Sequence, residues 1–150
     1  MSDKSNIIIR NKKASFEYSF LEKYVAGIQL FGTEIKSIRS SEANINDAYC
    51  SFNDNELFVK SMHIGEYKQG TYNNHEPKRD RKLLLHKTEL AKLQYSLKDK
   101  GLTIVPLRLF INEKGLAKLE IALAKGKKTF DKRDDIKKRD LERETQRRFK

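Results

Sequence analysis

The sequence has little of what metal-dependent, disulfide-stabilised or catalytic proteins need. Its single cysteine, Cys50, excludes an intrachain disulfide and a thiolate cluster for zinc. His63, His75 and His86 lack the spacing of paired metal ligands, and neither a P-loop nor a G-x-S-x-G nucleophile motif occurs. No apolar run approaches the length of a membrane span, and Ile7–Ile9 is too short for a signal-peptide core. We therefore expect a cytoplasmic protein that is not an enzyme and needs no metal or cofactor.

Positive charge is what the sequence has in excess. Its 150 residues hold 32 Lys and Arg against 21 Asp and Glu, a net charge of +11. Such a charge predicts a polyanionic partner, because each neutralised phosphate releases condensed counterions, although an anionic membrane would also attract it. Between Lys125 and Lys150, twelve Lys and Arg face six Asp and Glu, which gives this segment +6 of the total. We expect one domain at 1–124, frayed over 1–10, and a basic C-terminal tail at 125–150.

Short segments rich in apolar residues follow one another through the first 124 positions, and in the first and last of them every second residue is apolar, which is the pattern of half-buried strands. These segments predict strands at Phe16–Phe20, Ile28–Ile38 with a bulge at Gly32, Ala48–Phe52, Leu57–Ile64, Leu102–Ile111 and Leu116–Leu123. The polar links Asn53–Glu56 and Asn112–Gly115 should join the last four strands into two hairpins. Pro106 cannot donate to a ladder, so it predicts a strand edge or a bulge.

One segment has a helical period instead. Leu90, Leu93 and Leu97 are spaced i, i+3 and i+7 within Lys87–Lys100, and Gly101 stands where a C-terminal glycine ends a helix. About six consecutive strands and one main amphipathic helix predict a mainly β protein with an antiparallel sheet. A small barrel of the OB type, with added helices, fits this order, and a sandwich or a curled sheet would also fit.

The tail lacks an apolar face that could dock on a core. After Asp134 its large apolar residues are only Ile136, Leu141 and Phe149. Acid-first pairs at i, i+4 favour a helix, but each contributes only about 0.2–0.5 kcal/mol, too little to offset nucleation. These pairs are Asp134–Lys138, Asp135–Arg139 and Glu144–Arg148. We expect the tail to be disordered in the free protein and helical when an anionic partner binds it.

Six blocks of the sequence, in order and with matching spacing, resemble the signature blocks of one family. The blocks are Asn11–Ala14, Ala26–Gly27, Gly32–Arg39, Ala43–Tyr49, Arg79–Leu85 and Ala124–Arg133. They are similar to those of the SsrA-binding protein family, also called small protein B. This family is the partner of tmRNA in bacterial trans-translation, and the resemblance runs from about Asn11 to the end of the chain.

The resemblance implies a fold and a set of partners. It implies an OB-type barrel that binds the tRNA-like domain of tmRNA. It also implies that the tail enters the vacant mRNA channel of a stalled ribosome, next to the decoding centre, and becomes helical there. Alanine-charged tmRNA, delivered with elongation factor Tu, would then accept the nascent peptide, and translation would resume on the tag-encoding frame.

The resemblance also implies candidate RNA contacts. Five positions match residues that lie on or near the tmRNA-facing surface of the family, namely Asn11, Lys12, Tyr18, Leu84 and Lys118. Charged residues within the matching blocks extend the candidate set with Glu34, Lys36, Arg39, Arg79, Arg81 and Lys82. The chain departs from the family at Val25, where many members have a glutamate, and Lys23 is a candidate replacement for that contact.

The tail supplies the candidate ribosome contacts. They are Lys125, Gly126, Lys127, Lys128, Phe130, Asp131, Lys132, Arg133, Lys137, Lys138 and Arg139. Phe130 lies among charges and matches a position that stacks on a base of the decoding centre.

Several candidates also have a simpler structural interpretation. Tyr18 fits equally well as a half-buried strand aromatic, Arg79–Lys82 as a solvated loop and Leu83–Leu85 as core. Glu34 and Lys36 fit as a surface pair in a strand, and the tail as a solubilising appendage. Two other functions share the composition: a ribosomal protein with an OB body and a basic extension, and a general binder of single-stranded nucleic acid.

Overall fold

The computed structural model describes residues 7–67 and 74–127. Its strands are β1 (Ile8–Arg10), β2 (Tyr18–Ile28), β3 (Ala43–Asn44), β4 (Tyr49–Asn53), β5 (Glu56–Lys60), β6 (His63–Ile64), β7 (Arg81–Leu84), β8 (Leu102–Ile111) and β9 (Ala117–Gly126). Its helices are α1 (Ala14–Glu17), α2 (Gly32–Arg39) and α3 (Lys87–Ser96). In the described ranges, no helix is both long and apolar enough to cross a membrane.

Six of the strands form a closed antiparallel ring. Each strand in the order β8-β4-β5-β7-β2-β9 pairs with the next, and β9 pairs back with β8. The inward-facing side chains form the core, and Leu57, Ile104, Leu119 and Ile121 are among those that are fully buried. The predicted mainly β class and six-stranded OB-type barrel are therefore confirmed.

Both predicted hairpins are present. In the turn between β4 and β5, Asp54 adopts a φ of 57°, and in the turn between β8 and β9, Gly115 adopts a φ of +82°. The register of β8 against β9 shifts between Pro106 and Arg108, so the predicted bulge at Pro106 is also confirmed. The strand predicted over Leu57–Ile64 is interrupted at Ser61, whose φ of 60° separates β5 from β6.

The bulged strand predicted over Ile28–Ile38 is wrong. Strand β2 ends at Ile28 and helix α2 begins at Gly32. The Glu34 carboxylate accepts a hydrogen bond from the Phe31 backbone N–H at 2.8 Å, which caps the helix. Ile35 and Ile38, spaced i and i+3, both pack on the core from one face of this helix. The change of period at Gly32 therefore marks a change from strand to helix.

Three predicted boundaries also need correction. Residues Ala14–Glu17 form helix α1, so the first long strand begins at Tyr18 and not at Phe16. Helix α3 ends at Ser96, and a turn in which Asp99 Oδ1 accepts the Gly101 N–H at 3.0 Å takes the place of a glycine C-cap. Residues Ile8–Arg10, expected to be frayed, form β1 and pair with β8.

The barrel also extends slightly into the predicted tail. Strand β9 continues through Gly126, two residues past the predicted domain boundary. The Lys127 N–H then donates to the Glu17 carbonyl at 2.8 Å. The predicted disorder of the tail at 125–150 is therefore wrong for Lys125 and Gly126, and its remaining part, 128–150, lies outside the described residues together with the latent helix.

Candidate RNA interface

One cross-strand row on the outside of the barrel joins two of the predicted RNA contacts. On β2, Ala26 is fully buried, so its neighbours Val25 and Gly27 lie on the outer face. Gly27 is opposite Leu84 of β7 on one side and opposite Lys118 of β9 on the other. We call these three residues the Gly27 row.

A side chain at the centre of the Gly27 row would be in van der Waals contact with both of its neighbours. A Cβ atom at Gly27 would lie 3.4 Å from Leu84 Cβ and 3.7 Å from Lys118 Nζ. Leu84 is 46% exposed, and Lys118 is half-buried. The row therefore presents an apolar side chain, a bare stretch of backbone and an ammonium group in contact range of one another.

The apolar residue at position 25 has an acid beside it. Val25 is 50% exposed and is opposite Glu120 in the register of β2 and β9. The Glu120 carboxylate lies 3.4 Å from Arg108 Nε. Lys23, the predicted replacement for the missing family glutamate, lies two residues before Val25, with its Nζ 5.8 Å from the Phe20 ring centroid. The side chain next to Val25 across the strands is thus an ion-paired carboxylate.

Asn11, Lys12 and Tyr18 form a second group, around helix α1. The Asn11 side chain accepts a hydrogen bond from the Ala14 N–H at 3.2 Å and donates to the Pro106 carbonyl at 2.9 Å. These bonds hold the start of α1 against the bulge of β8. Tyr18 is half-buried and lines an open cavity of about 390 Å³, while Lys12 is exposed. Asn11 thus positions this group, and Lys12 and Tyr18 remain accessible.

The start of the predicted tail lies beside Tyr18. Tyr18 pairs with Gly126 and Ser19 pairs with Lys125, as β2 and β9 run antiparallel. The Lys127 ammonium donates to the Ser15 carbonyl at 2.9 Å. The chain therefore leaves the barrel next to the α1 surface. The other predicted ribosome contacts lie outside the described residues: Lys128, Phe130, Asp131, Lys132, Arg133, Lys137, Lys138 and Arg139.

Two of the predicted RNA contacts are instead buried in an ion-pair cluster. Glu34 and Arg81 are both 0% exposed and form a charge-assisted hydrogen bond with each other. Arg79 donates to the same carboxylate at 2.6 Å, and Arg81 donates to the Met62 carbonyl at 2.7 Å. A side chain without exposed surface cannot touch RNA, so the prediction that Glu34 and Arg81 contact RNA is wrong. The cluster fixes α2 against β7.

The electrostatics of this cluster favour the ionised carboxylate. Burial raises the pKa of Glu34, but hydrogen bonds from Arg79, from the Phe31 backbone N–H and from Arg81 outweigh that effect. The pKa of Glu34 therefore lies below its usual range. For Arg81 burial acts in the other direction and lowers the pKa, but a guanidinium keeps its charge throughout the working pH range of proteins.

This lowered pKa predicts a pH dependence of stability. A carboxylate with a lowered folded-state pKa stabilises the fold fully above its unfolded pKa of about 4.3, and the contribution is lost as the pH falls through the folded pKa. In thermal unfolding between pH 7 and 3, the midpoint of Glu34→Gln should therefore fall less steeply below about pH 4.5 than that of the wild type. Glu113→Gln, a change at an exposed acid, serves as the control. Identical pH profiles for Glu34→Gln and the wild type would contradict this prediction.

The remaining predicted cations reach the surface from different elements. Lys36 and Arg39 are exposed on α2, and Lys36 Nζ lies 5.3 Å from the Tyr67 ring centroid. Lys82 of β7 pairs with Glu56 at 3.3 Å, and the Arg79 side chain is 28% exposed. Of these cations, Lys82 lies on β7, the strand that carries Leu84, and Arg79 lies two residues before that strand.

Sequence reasoning missed one exposed aromatic residue near this strand. Phe31, at the N-terminus of α2, is 56% exposed, and Arg79 Cζ lies 4.2 Å from its ring centroid. The glutamate three residues after Phe31 indicates a capped helix and could have moved this residue out of the predicted strand. Its stacking with Arg79 connects positions 48 apart in sequence, so no local pattern indicates it.

Comparison with known proteins places the chain in a family. The family described as "SmpB protein" matches this chain over residues 8–150. The SsrA-binding protein of Cytophaga hutchinsonii is 62% identical over 142 residues, covering 95% of this chain and 93% of the relative. The SsrA-binding protein of Thermosipho melanesiensis is 51% identical, covering 91% of this chain and 93% of the relative. A solved structure described as "tmRNA-SmpB: a journey to the center of the bacterial ribosome" contains a chain 44% identical with a TM-score of 0.69, covering 82% of this chain and 86% of that one. The protein therefore belongs to the SmpB family.

Proposed function

We propose that this protein is an RNA-binding adaptor that binds the tRNA-like domain of tmRNA and delivers the tmRNA to stalled ribosomes for trans-translation. Similar proteins are named SsrA-binding proteins, and the description of one similar solved structure names tmRNA-SmpB and the bacterial ribosome. The observation that carries the proposal is the Gly27 row, in which register brings Leu84 and Lys118 to either side of one bare glycine.

The chemistry of the Gly27 row suits a folded RNA. The Lys118 ammonium attracts a backbone phosphate, and the exposed Leu84 side chain packs on a ribose or on the face of a base. Because Gly27 has no side chain, an RNA strand can approach the backbone of β2 between them. Single-stranded or exposed RNA elements are recognised through this kind of apolar and phosphate contact.

We further propose that the tail acts separately from the barrel. Lys125 and Lys127 begin a basic segment that leaves the fold beside Tyr18, so the tail can extend away from the Gly27 row. In this proposal the tail follows the empty mRNA channel from the decoding centre and becomes helical there, with Phe130 stacked on a base. Alanine-charged tmRNA and elongation factor Tu are the accompanying partners, and the reaction takes place in the cytoplasm.

Binding at increasing salt tests the proposed function. We expect the protein to prefer a transcript of the tRNA-like domain over a hairpin of equal size after nonspecific phosphate attraction is screened. A ribosomal protein would instead prefer ribosomal RNA, and a general single-strand binder would prefer an unstructured strand. Equal affinity for the tRNA-like domain and the hairpin at every salt concentration would contradict the proposal.

Substitutions in the Gly27 row should weaken this binding in two different ways. Lys118→Ala should lower the affinity and reduce the slope of log K against log salt by about 0.9, because one phosphate contact is lost. Leu84→Ala should cost about 1 kcal/mol at an unchanged slope, because it removes apolar area only.

The matched controls are residues of the same type elsewhere on the fold. Leu21→Ala changes a leucine that is 53% exposed, six residues before Gly27 on β2, and Lys92→Ala changes an exposed lysine on α3. Both controls should keep wild-type affinity and slope. If Leu84→Ala and Lys118→Ala bind as well as these controls, the Gly27 row is not the contact.

A further inference from the structure

The most exposed aromatic ring near the Gly27 row is held in a fixed position. Phe31 is 56% exposed. Its backbone is held by two hydrogen bonds, because its N–H donates to Glu34 Oε1 at 2.8 Å and its carbonyl accepts from the Glu34 N–H at 3.1 Å. Burying an aromatic side chain ordinarily stabilises a fold by a few kcal/mol. An exposed phenylalanine on a rigid helix terminus is therefore a candidate contact for another molecule.

A buried ion pair holds a cation against the Phe31 ring. Arg79 Cζ lies 4.2 Å from the ring centroid, and Arg79 Nη2 donates to Glu34 Oε1 at 2.6 Å and to the Gln29 carbonyl at 3.3 Å. Because the Glu34 carboxylate is itself fully buried, the guanidinium plane is fixed on one face of the ring. The exposed area of Phe31 is thus a preorganised aromatic surface with a cation behind it.

This surface lies close to the Gly27 row along the chain. The ladder between β2 and β7 runs from the Gly27–Leu84 pair to the Gln29 N–H, which donates to the Lys82 carbonyl at 3.0 Å. Phe31 follows Gln29 by two residues, so its Cα is at most about 14 Å from that of Gly27. At about 3.4 Å per stacked nucleotide, this distance corresponds to about four nucleotides of one strand.

We propose that Phe31 is a stacking platform for an unpaired base of the RNA that binds at the Gly27 row. The inference rests on the proposed function and adds to it a contact of a different chemical kind. The base stacks on the exposed surface of the Phe31 ring, and Arg79, on the opposite face, adds its charge to the attraction for the neighbouring phosphates.

Charge identifies an RNA base as the occupant rather than an apolar side chain of a protein. Arg79 lies on the ring, and the Lys82 carbonyl accepts a hydrogen bond from the Gln29 N–H, two residues before Phe31. Each of these cations is paired with a glutamate, and the whole chain has a net charge of +11. A single exposed ring backed by a guanidinium is too small for a stable protein interface, which needs about 800 Å² from each partner. Every base has a face that can stack on it.

Fluorescence tests the proposal directly, because the wild-type chain has no tryptophan. Phe31→Trp places one indole at the platform, and its emission should be quenched when a transcript of the tRNA-like domain of tmRNA is added. Tyr95→Trp is the matched control: Tyr95 is 72% exposed on α3, with Lys98 Nζ 5.1 Å from its ring centroid. Its emission should not change. Quenching of both tryptophans, or of neither, would overturn the proposal.

Affinity provides the second readout. Phe31→Leu should weaken binding of the same transcript about 5- to 150-fold, whereas Tyr95→Leu should leave it unchanged. The salt slope should stay at the wild-type value, because no charge is removed. Wild-type preference for the transcript, combined with full affinity of Phe31→Leu, would overturn the platform alone. Absence of that preference in the wild type would overturn the proposed function and the platform together.

Discussion

Replacing Glu34 with alanine should lower the free energy of unfolding by about 3–5 kcal/mol, because it leaves a buried guanidinium without its counterion. Arg81 is 0% exposed, so water cannot take over from the missing carboxylate. The same substitution removes the cap from the Phe31 N–H and one partner of Arg79. Urea unfolding followed by circular dichroism measures this loss.

The control for this substitution is an acid in a surface ion pair. Glu56 pairs with Lys82 at 3.3 Å, and its side chain is 53% exposed. Surface pairs contribute at most about 1 kcal/mol, so Glu56→Ala should have a small effect. If Glu34→Ala does not fold, the milder Glu34→Gln should still unfold at a lower urea concentration than Glu56→Ala. Equal small losses at positions 34 and 56 would show that the buried cluster does not stabilise the fold.

Ending the chain after Lys127 should abolish peptide tagging on stalled ribosomes while leaving tmRNA binding largely intact. The truncation keeps the Gly27 row, the Phe31 platform and the hydrogen bond from Lys127 to Glu17. It removes ten Lys and Arg and six Asp and Glu, the basic segment proposed to occupy the mRNA channel. Tagging in a reconstituted translation system with a message that lacks a stop codon measures the first effect, and binding of the tRNA-like domain measures the second.

A scrambled tail is the matched control for the truncation. A chain with residues 128–150 in random order keeps the composition and charge but loses the i, i+4 pairs and the position of Phe130. We expect this variant to bind tmRNA and to tag poorly. Full tagging by the truncated chain would remove the proposed role of the tail.

The barrel was predictable because local sequence patterns identify its strands. In β9, Lys118 and Glu120 alternate with Leu119 and Ile121, β8 is a short run of mostly apolar residues, and Asn112 and Gly115 supply turn chemistry between the two strands. Helix α2 was not predictable in the same way, because Phe31, Ile35 and Ile38 also fit a strand whose alternation slips by one residue. The one local signal for the helix is the glutamate three residues after Phe31, and it is weak because Phe31 is not a usual N-cap residue; the capping bond itself exists only once the helix has formed.

The candidate site was predictable residue by residue but not as a surface. The family resemblance supplied Leu84 and Lys118, but only the register of β2 with β7 and β9 shows that they flank Gly27. Glu34 and Arg81 were predicted to contact RNA because they are charged residues within the blocks that resemble the family. Their burial depends on a pairing across 47 positions, which no local pattern contains.

The central claim is that the outer face around Gly27 holds the tRNA-like domain of tmRNA. Backbone amide chemical shifts of the protein, measured by NMR as this RNA is added, test it most directly. We predict that the largest changes fall on Gly27, Phe31, Leu84 and Lys118 and that the β4–β5 hairpin, Tyr49–Lys60, changes little. Changes concentrated in that hairpin, with the amides around Gly27 unmoved, would contradict the account.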